Sequence, residues 1–263
     1  LVSINCARFL LYSHREVLMI PWELLDCATM PGERAEMNLW RRDDEFSIRL
    51  GNCEVMNSRL HGSEDALAEI ACKRIGKRPN ARVLIGGLGL GFTLAATLRH
   101  LVKDGEAVVA EIVPAVVKWN REILGHVAGE PLNDKRVTVY EGDVGRLMRT
   151  EKDAFDAILL DVDNGPDGLL REGNHGIYTP TGLQAIREAL RSRGILGVWS
   201  VGPCREFTYR LRHSGFWVEE VPARIREGRG GRKHMLWIAT RMNPRPPESE
   251  QRQEPRRPRK RRR

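Results

Sequence analysis

Three aspartates, Asp161, Asp163 and Asp167, fall within seven residues in the stretch LLDVDNGPDG, directly after an apolar run. Carboxylates held this close repel one another, and a cation relieves them. That cation is a protonated amine, a sulfonium-bearing amino acid portion of a ligand, or a metal ion. A metal is disfavoured, because His175 is the one imidazole or thiol nearby. A strand-end carboxylate can also take the proton of an ammonium, which has no lone pair for attack until it loses one. Asn164, beside Asp163, can hydrogen-bond but cannot act as a base.

Two more acids end apolar runs. Glu111 closes AVVAEI, and a carboxylate there can accept both hydroxyl protons of a ribose. Asp143 closes RVTVYEGD, where it either accepts from an adenine amino group or caps the next short helix. Between them in role lies RVLIGGLGLGF, with glycines at 86, 87, 89 and 91. Glycine lets a loop turn tightly and lets a ligand approach the backbone. A phosphate-binding loop requires G-K-[ST], which is absent, and a dinucleotide fingerprint requires glycine where Phe92 stands. The G-x-G-x-G spacing of Gly87, Gly89 and Gly91 instead suits an S-adenosyl compound, and Glu111 follows twenty residues past Gly91.

These residues need a scaffold that brings strand ends together. The periodicity predicts strands at Arg82–Ile85, Ala107–Ile112, RVTVYEGD, DAILLDVD and GILGVWSV, alternating with helices at Phe92–Val102, from Pro114, Thr181–Arg191 and Arg205–His213. FWVEEVPARI and HMLWIATR read as a closing hairpin joined by the glycine-rich REGRGGRK. Strands that are apolar throughout and alternate with helices imply a parallel sheet covered on both faces. The expected fold is α/β: a doubly wound, mostly parallel, seven-stranded sheet with its last strand antiparallel, a methyltransferase-like Rossmann variant. Before it, residues 35–57 read as a small antiparallel meander, and SEDALAEIACKRI as a helix capped by Ser63. Ligands of such sheets bind beyond the carboxyl ends of the strands.

Composition sets outer bounds. The 263 residues carry 41% hydrophobic side chains and a net charge of +8. From Pro244 to Arg263 nine Lys/Arg face three Glu, so the tail holds six of those charges and the body is nearly neutral. The tail, residues 243–263, is expected to be disordered and able to touch nucleic acid or an anionic surface. The cysteines, Cys6, Cys27, Cys53, Cys72 and Cys204, show no metal or disulfide spacing, which suits a reducing cytoplasm. No apolar run approaches the ~20 residues of a membrane helix. The chain is expected to divide into a possible upstream extension (1–18), a small β segment (19–62), a nucleoside-binding catalytic domain (63–242) and the basic tail.

Taken together, the motifs resemble the spermidine synthase family of aminopropyltransferases. SEDALAEIA is similar to the family's DEFIYHEML, VLIGGLGLG to VLIIGGGDGG, FDAILLDVDNGP to YDVIIVDSTDP, and IYTPTGLQAIREALRSRGIL to LFTEEFYRLLKEALKPGGIL. The resemblance implies decarboxylated S-adenosylmethionine as co-substrate, without a metal, and a small amine such as putrescine as acceptor. It assigns Glu111 to the ribose, Asp143 to the adenine, Asp161 and Asp163 to the acceptor's proton, and Glu69 to an acid of the acceptor side. Asp167 and Tyr178 are further candidates for that side, and the resemblance also implies a homodimer. There are departures. Gly89 stands where the family carries an aspartate that helps hold the aminopropyl end, Asn164 stands at the second acid of D-x-x-D, and Leu67-Ala68 replace a Tyr-His pair. Three readings follow: an aminopropyltransferase, an S-adenosylmethionine-dependent methyltransferase on the same scaffold, and a non-catalytic nucleoside-binding module tethered to nucleic acid by the tail.

Overall fold

A computed structural model describes residues 20–32, 35–162, 165–166, 176–225 and 233–242. Among these, seven strands form the large sheet. β5 (Arg82–Gly86), β6 (Glu106–Glu111), β7 (Val137–Glu141), β8 (Phe155–Leu160) and β9 (Leu190–Ser200) are parallel, while β11 (Lys233–Arg241) runs antiparallel between β9 and β10 (Phe216–Arg224). The order is β10-β11-β9-β8-β5-β6-β7. The chain therefore winds outward from β5 in both directions, and the switch point lies between β5 and β8. The loops after these two strands carry Gly87 and Asp161. The expected class and the antiparallel last strand are both present. The glycine-rich turn of the closing hairpin lies outside the described residues, but Arg224 pairs with Lys233 at its base.

The sheet is buried on both faces, which explains its uninterrupted apolar strands. Val83, Ile85, Val109 and Leu159 face a layer containing α1 (Gly62–Ile75), α2 (Phe92–His100) and α3 (Pro114–Trp119). Leu84, Val108, Ile158 and Leu160 face the layer of α4 (Val144–Thr150), α5 (Pro180–Ala189) and α6 (Arg205–His213). α5 starts one residue before its expected start, with Thr179 accepting from Gly182 N at 3.1 Å and Pro180 at the first helical position.

A second, antiparallel sheet covers the first layer. It consists of β1 (Glu23–Thr29), β2 (Glu36–Arg42), β3 (Glu45–Leu50) and β4 (Cys53–Asn57). The expected meander corresponds to β2–β4. β1 is additional: its sequence ELLDCAT lacks apolar alternation, and pairing with β2 forms it. Leu39, Phe46 and Ile48 enter the core shared with α1–α3, and Trp119 Nε1 donates to Asp26 Oδ2 at 2.8 Å. Residues 1–19 and 243–263 lie outside the described residues. No described helix is long and apolar enough to cross a membrane.

Candidate functional site

The loop after β5 is shaped by close backbone approach. Gly87 has φ +88°, and a Cβ there would stand 2.5 Å from the Asp161 carbonyl oxygen, so no larger residue fits. Gly87 N donates to Ala110 O and Asp161 N to Gly86 O, which ties three strand ends together. Gly91, with φ +86°, stands at the start of α2. Gly86 packs tightly on Leu160 and Val144. Of the four predicted glycines, Gly87 and Gly89 line the cavity described next, while Gly86 and Gly91 build the turn.

Above this loop lies a cleft with about 810 Å3 of free space, counting the part open to solvent, bounded by strand ends of the large sheet and by the small sheet. Glu111, Asp143 and Asp161 are the acids lining it among the described residues. Glu111 is only 7% exposed and points at the glycine loop. Its Oε2 accepts from Leu88 N at 2.9 Å and its Oε1 from Val113 N at 2.8 Å. Burial pushes this carboxyl up, while the amides of Leu88, Val113, Ile112 and Gly89 pull it back toward the ionised form. The loop and the carboxylate thus face each other across the cavity floor, as a nucleoside site requires.

Asp143 caps the helix that follows it. Its Oδ1 accepts from Gly145 N at 2.7 Å as the cap of α4, and the residue also lines the cavity. Asp161 accepts from Thr93 Oγ1 at 2.6 Å, and burial pushes its carboxyl upward. Asp163, Asn164 and Asp167 lie outside the described residues.

Two expected residues sit elsewhere. Glu69 is paired with Lys73 on the outer face of α1 and does not line the cavity. Tyr178 packs edge-to-face on Phe207 in the core beneath the sheet, 2% exposed, and is not a cavity wall. The acid of α1 that faces inward is Glu64. Burial, and then the Asp161 carboxylate, push its carboxyl to about 7. Helical arithmetic carries the signal: buried Leu67, Ala68, Ala71 and Ile75 follow Glu64 at +3, +4, +7 and +11, whereas Glu69 is on the far side. Ser63 was expected to cap α1, yet the helix begins at Gly62 and Ser63 is buried within it. Its hydroxyl donates to Glu64 at 2.6 Å and accepts from Trp199 Nε1 at 3.0 Å, with His234 Nδ1 at 2.8 Å.

Asn120 is a further residue that spacing did not single out. It sits where α3 passes into a π-helical turn, Asn120–Leu124. Its Nδ2 donates to Gly89 O at 2.7 Å and to Val116 O at 2.9 Å, fastening the glycine loop to α3. Such turns recur where a side chain must be aimed out of helical register.

Comparison with known proteins agrees with this geometry. Residues 64–204, more than half of the chain, match the family model described as the spermine/spermidine synthase domain. A polyamine aminopropyltransferase of Saccharolobus solfataricus is 27% identical over 126 residues, 48% of this chain and 40% of that protein. One from Thermoanaerobacter sp. (strain X514) is 28% identical over 127 residues, 48% of this chain and 43% of that protein. The chain thus spans about two fifths of the length of the curated relatives it matches. Among solved structures, spermidine synthase from Thermotoga maritima superposes with a TM-score of 0.65 at 16% identity, covering 83% of this chain and 72% of that one. A probable spermidine synthase from Corynebacterium glutamicum gives a TM-score of 0.58 at 12% identity, covering 83% and 79%.

Proposed function

The chain belongs to the spermine/spermidine synthase family, and from that premise we propose that it is a transferase moving an aminopropyl group from decarboxylated S-adenosylmethionine to a small amine. The observation that carries this reading is the buried Glu111 carboxylate set against the glycine loop, with Leu88 N and Val113 N holding its two oxygens. Each oxygen keeps a lone pair for a ribose hydroxyl. Asp143 spends Oδ1 on its cap and keeps Oδ2 for an adenine amino group. Ile112, Val113 and Val144 give the same cavity an apolar lining for a base. Gly87 and Gly89 line the cavity, and their lack of a Cβ lets the Asp161 carbonyl and the Met56 thioether close on the loop.

When bound, the sulfonium co-substrate supplies an electrophilic carbon next to sulfur. The chain's own task is to present an amine nitrogen with a free lone pair. Asp161 is suited to it: Thr93 fixes the carboxylate by one hydroxyl, and burial raises its proton affinity above that of an exposed aspartate. Asp163 and Asp167 follow it in sequence and, in this proposal, complete the mouth that draws in a cationic acceptor. Glu64 takes the place that the resemblance gave to Glu69.

Titration calorimetry with the two forms of the co-substrate, followed by turnover with putrescine, tests the reading. Tighter binding of decarboxylated S-adenosylmethionine and release of 5′-methylthioadenosine in the presence of the amine are expected. Binding of S-adenosylmethionine alone, with methyl transfer, would replace aminopropyl transfer by the methyltransferase reading.

A further inference from the structure

The charge of the cavity is one-sided. Glu111, Asp143 and Asp161 all follow or end strands of the large sheet. The opposite wall comes from the small sheet through Met30, Met37, Ile48, Leu50, Val55 and Met56, none of which is charged. Met56, on β4, reaches furthest. Its Sδ and Cε occupy the space beside Gly89, so that a Cβ on residue 89 would overlap them. Gly89 also has φ +51°, which disfavours most side chains. The place directly above the middle of the glycine loop is therefore filled by a thioether from another sheet.

A thioether is polarisable and apolar, and it packs well against alkyl chains and sulfur. It cannot neutralise an ammonium, and a charge buried without a partner is costly. Resting on the nucleoside reading above, we propose that Met56 is the specificity-determining residue for the sulfur-bound arm of the ligand: the part packed against this thioether is an uncharged alkyl chain, and among the described residues it is Asp161 that meets a charged end. The ligand class this wall favours is an adenosyl thioether or sulfonium with a short alkyl arm. Position 89 and Met56 form one unit, because an acid at either place puts charge on this wall.

Two stable probes differing in the arm test this by calorimetry on the full chain: 5′-deoxy-5′-methylthioadenosine, which is neutral, and 5′-deoxy-5′-(3-aminopropylthio)adenosine, which is cationic. Met56→Glu adds a carboxylate to the apolar wall and is expected to raise the preference for the cationic probe over the neutral one about tenfold. Met56→Leu keeps the wall apolar and is expected to hold that ratio within about twofold. Gly89→Asp adds the charge from the loop, in a conformation aspartate tolerates, and displaces the thioether; it should move the ratio the same way. The proposal is overturned if both acidic variants leave the ratio unchanged, or if Met56→Leu shifts it as far as they do. Failure of the unsubstituted chain to bind either probe would remove the nucleoside reading and this inference together. Binding of both with no response to the acidic variants would remove the inference alone.

Discussion

Replacing Glu64 by glutamine should stabilise the protein, and do so chiefly at neutral and alkaline pH. The Glu64 carboxyl is pushed up to about 7 by burial and by the neighbouring Asp161 carboxylate, from an ordinary value of 4.5. The folded chain therefore holds this proton more tightly than the unfolded chain does. Stability from that proton is complete below pH 4.5 and is lost as pH rises through about 7. Once both states are ionised, the fold carries a penalty of up to ~3 kcal/mol, at about 1.4 kcal/mol per pH unit. Glutamine keeps the size of the side chain and an oxygen for the Ser63 hydroxyl, which now donates at 2.6 Å, but it cannot ionise. Urea denaturation of both proteins at pH 5 and pH 8 measures this. The variant should exceed the parent by no more than about 1 kcal/mol at pH 5 and by about 2 kcal/mol more at pH 8. A variant that is equally stable at both pH values relative to the parent, or weaker at pH 8, would refute the buried carboxylate pair.

Three further outcomes follow from the same site. Asp161→Asn should lower turnover by at least about 100-fold without lowering the urea midpoint, because it removes a proton acceptor and a buried charge but keeps the acceptor oxygen that Thr93 uses; retained turnover would take Asp161 out of the chemistry. Gly87→Ala should cost at least about 2 kcal/mol and abolish nucleoside binding, since φ is +88° and the Asp161 carbonyl lies 2.5 Å from the new methyl; calorimetry and urea melts read both. Asn120→Ala leaves the Gly89 and Val116 carbonyls without their amide donor and should cost about 1–3 kcal/mol. Its nucleoside affinity should fall as well, whereas a purely structural role would leave the affinity of the folded fraction unchanged.

What could be read from sequence was whatever local pattern controls. Apolar strands alternating with helices specified the doubly wound sheet, and the two closing strands specified the antiparallel β11, because burial on both faces leaves a continuous apolar imprint. Glu111 and the glycine loop were legible because both terminate such strands at a switch point. Contacts between distant elements leave no such imprint. Nothing in the spacing of β4 shows that Met56 will lie over Gly89, thirty-three residues on, and β1 forms because β2 offers it an edge. Motif alignment pointed to Glu69 without regard to the face of the helix, whereas the 3.6-residue period of α1 sets Glu64 inward and Glu69 against Lys73. Tyr178 was a candidate for the acceptor side, yet its ring packs edge-to-face on Phe207 in the core.

The three cavity acids differ in how the backbone serves them, and that difference divides their work. Glu111 is held by amide N–H groups at the turn after β5 and at the start of α3, and Asp143 by the first turn of α4. Amides at helix starts carry partial positive charge and fix an acceptor oxygen in place. Such acids are placed to accept from the fixed hydroxyls and amino groups of a nucleoside. Asp161 has no backbone amide on its carboxylate among the described residues; its donor there is the Thr93 hydroxyl. Burial thus raises its proton affinity with less opposition. Two carboxylates tied to backbone amides and one served, among the described residues, by a hydroxyl alone give one cavity both a binding half and a reacting half. Exchanging the Thr93 hydroxyl for a methyl group, Thr93→Val, should therefore raise the apparent pKa on the acid limb of turnover and leave nucleoside affinity unchanged. A loss of affinity with an unmoved limb would assign Asp161 to binding instead.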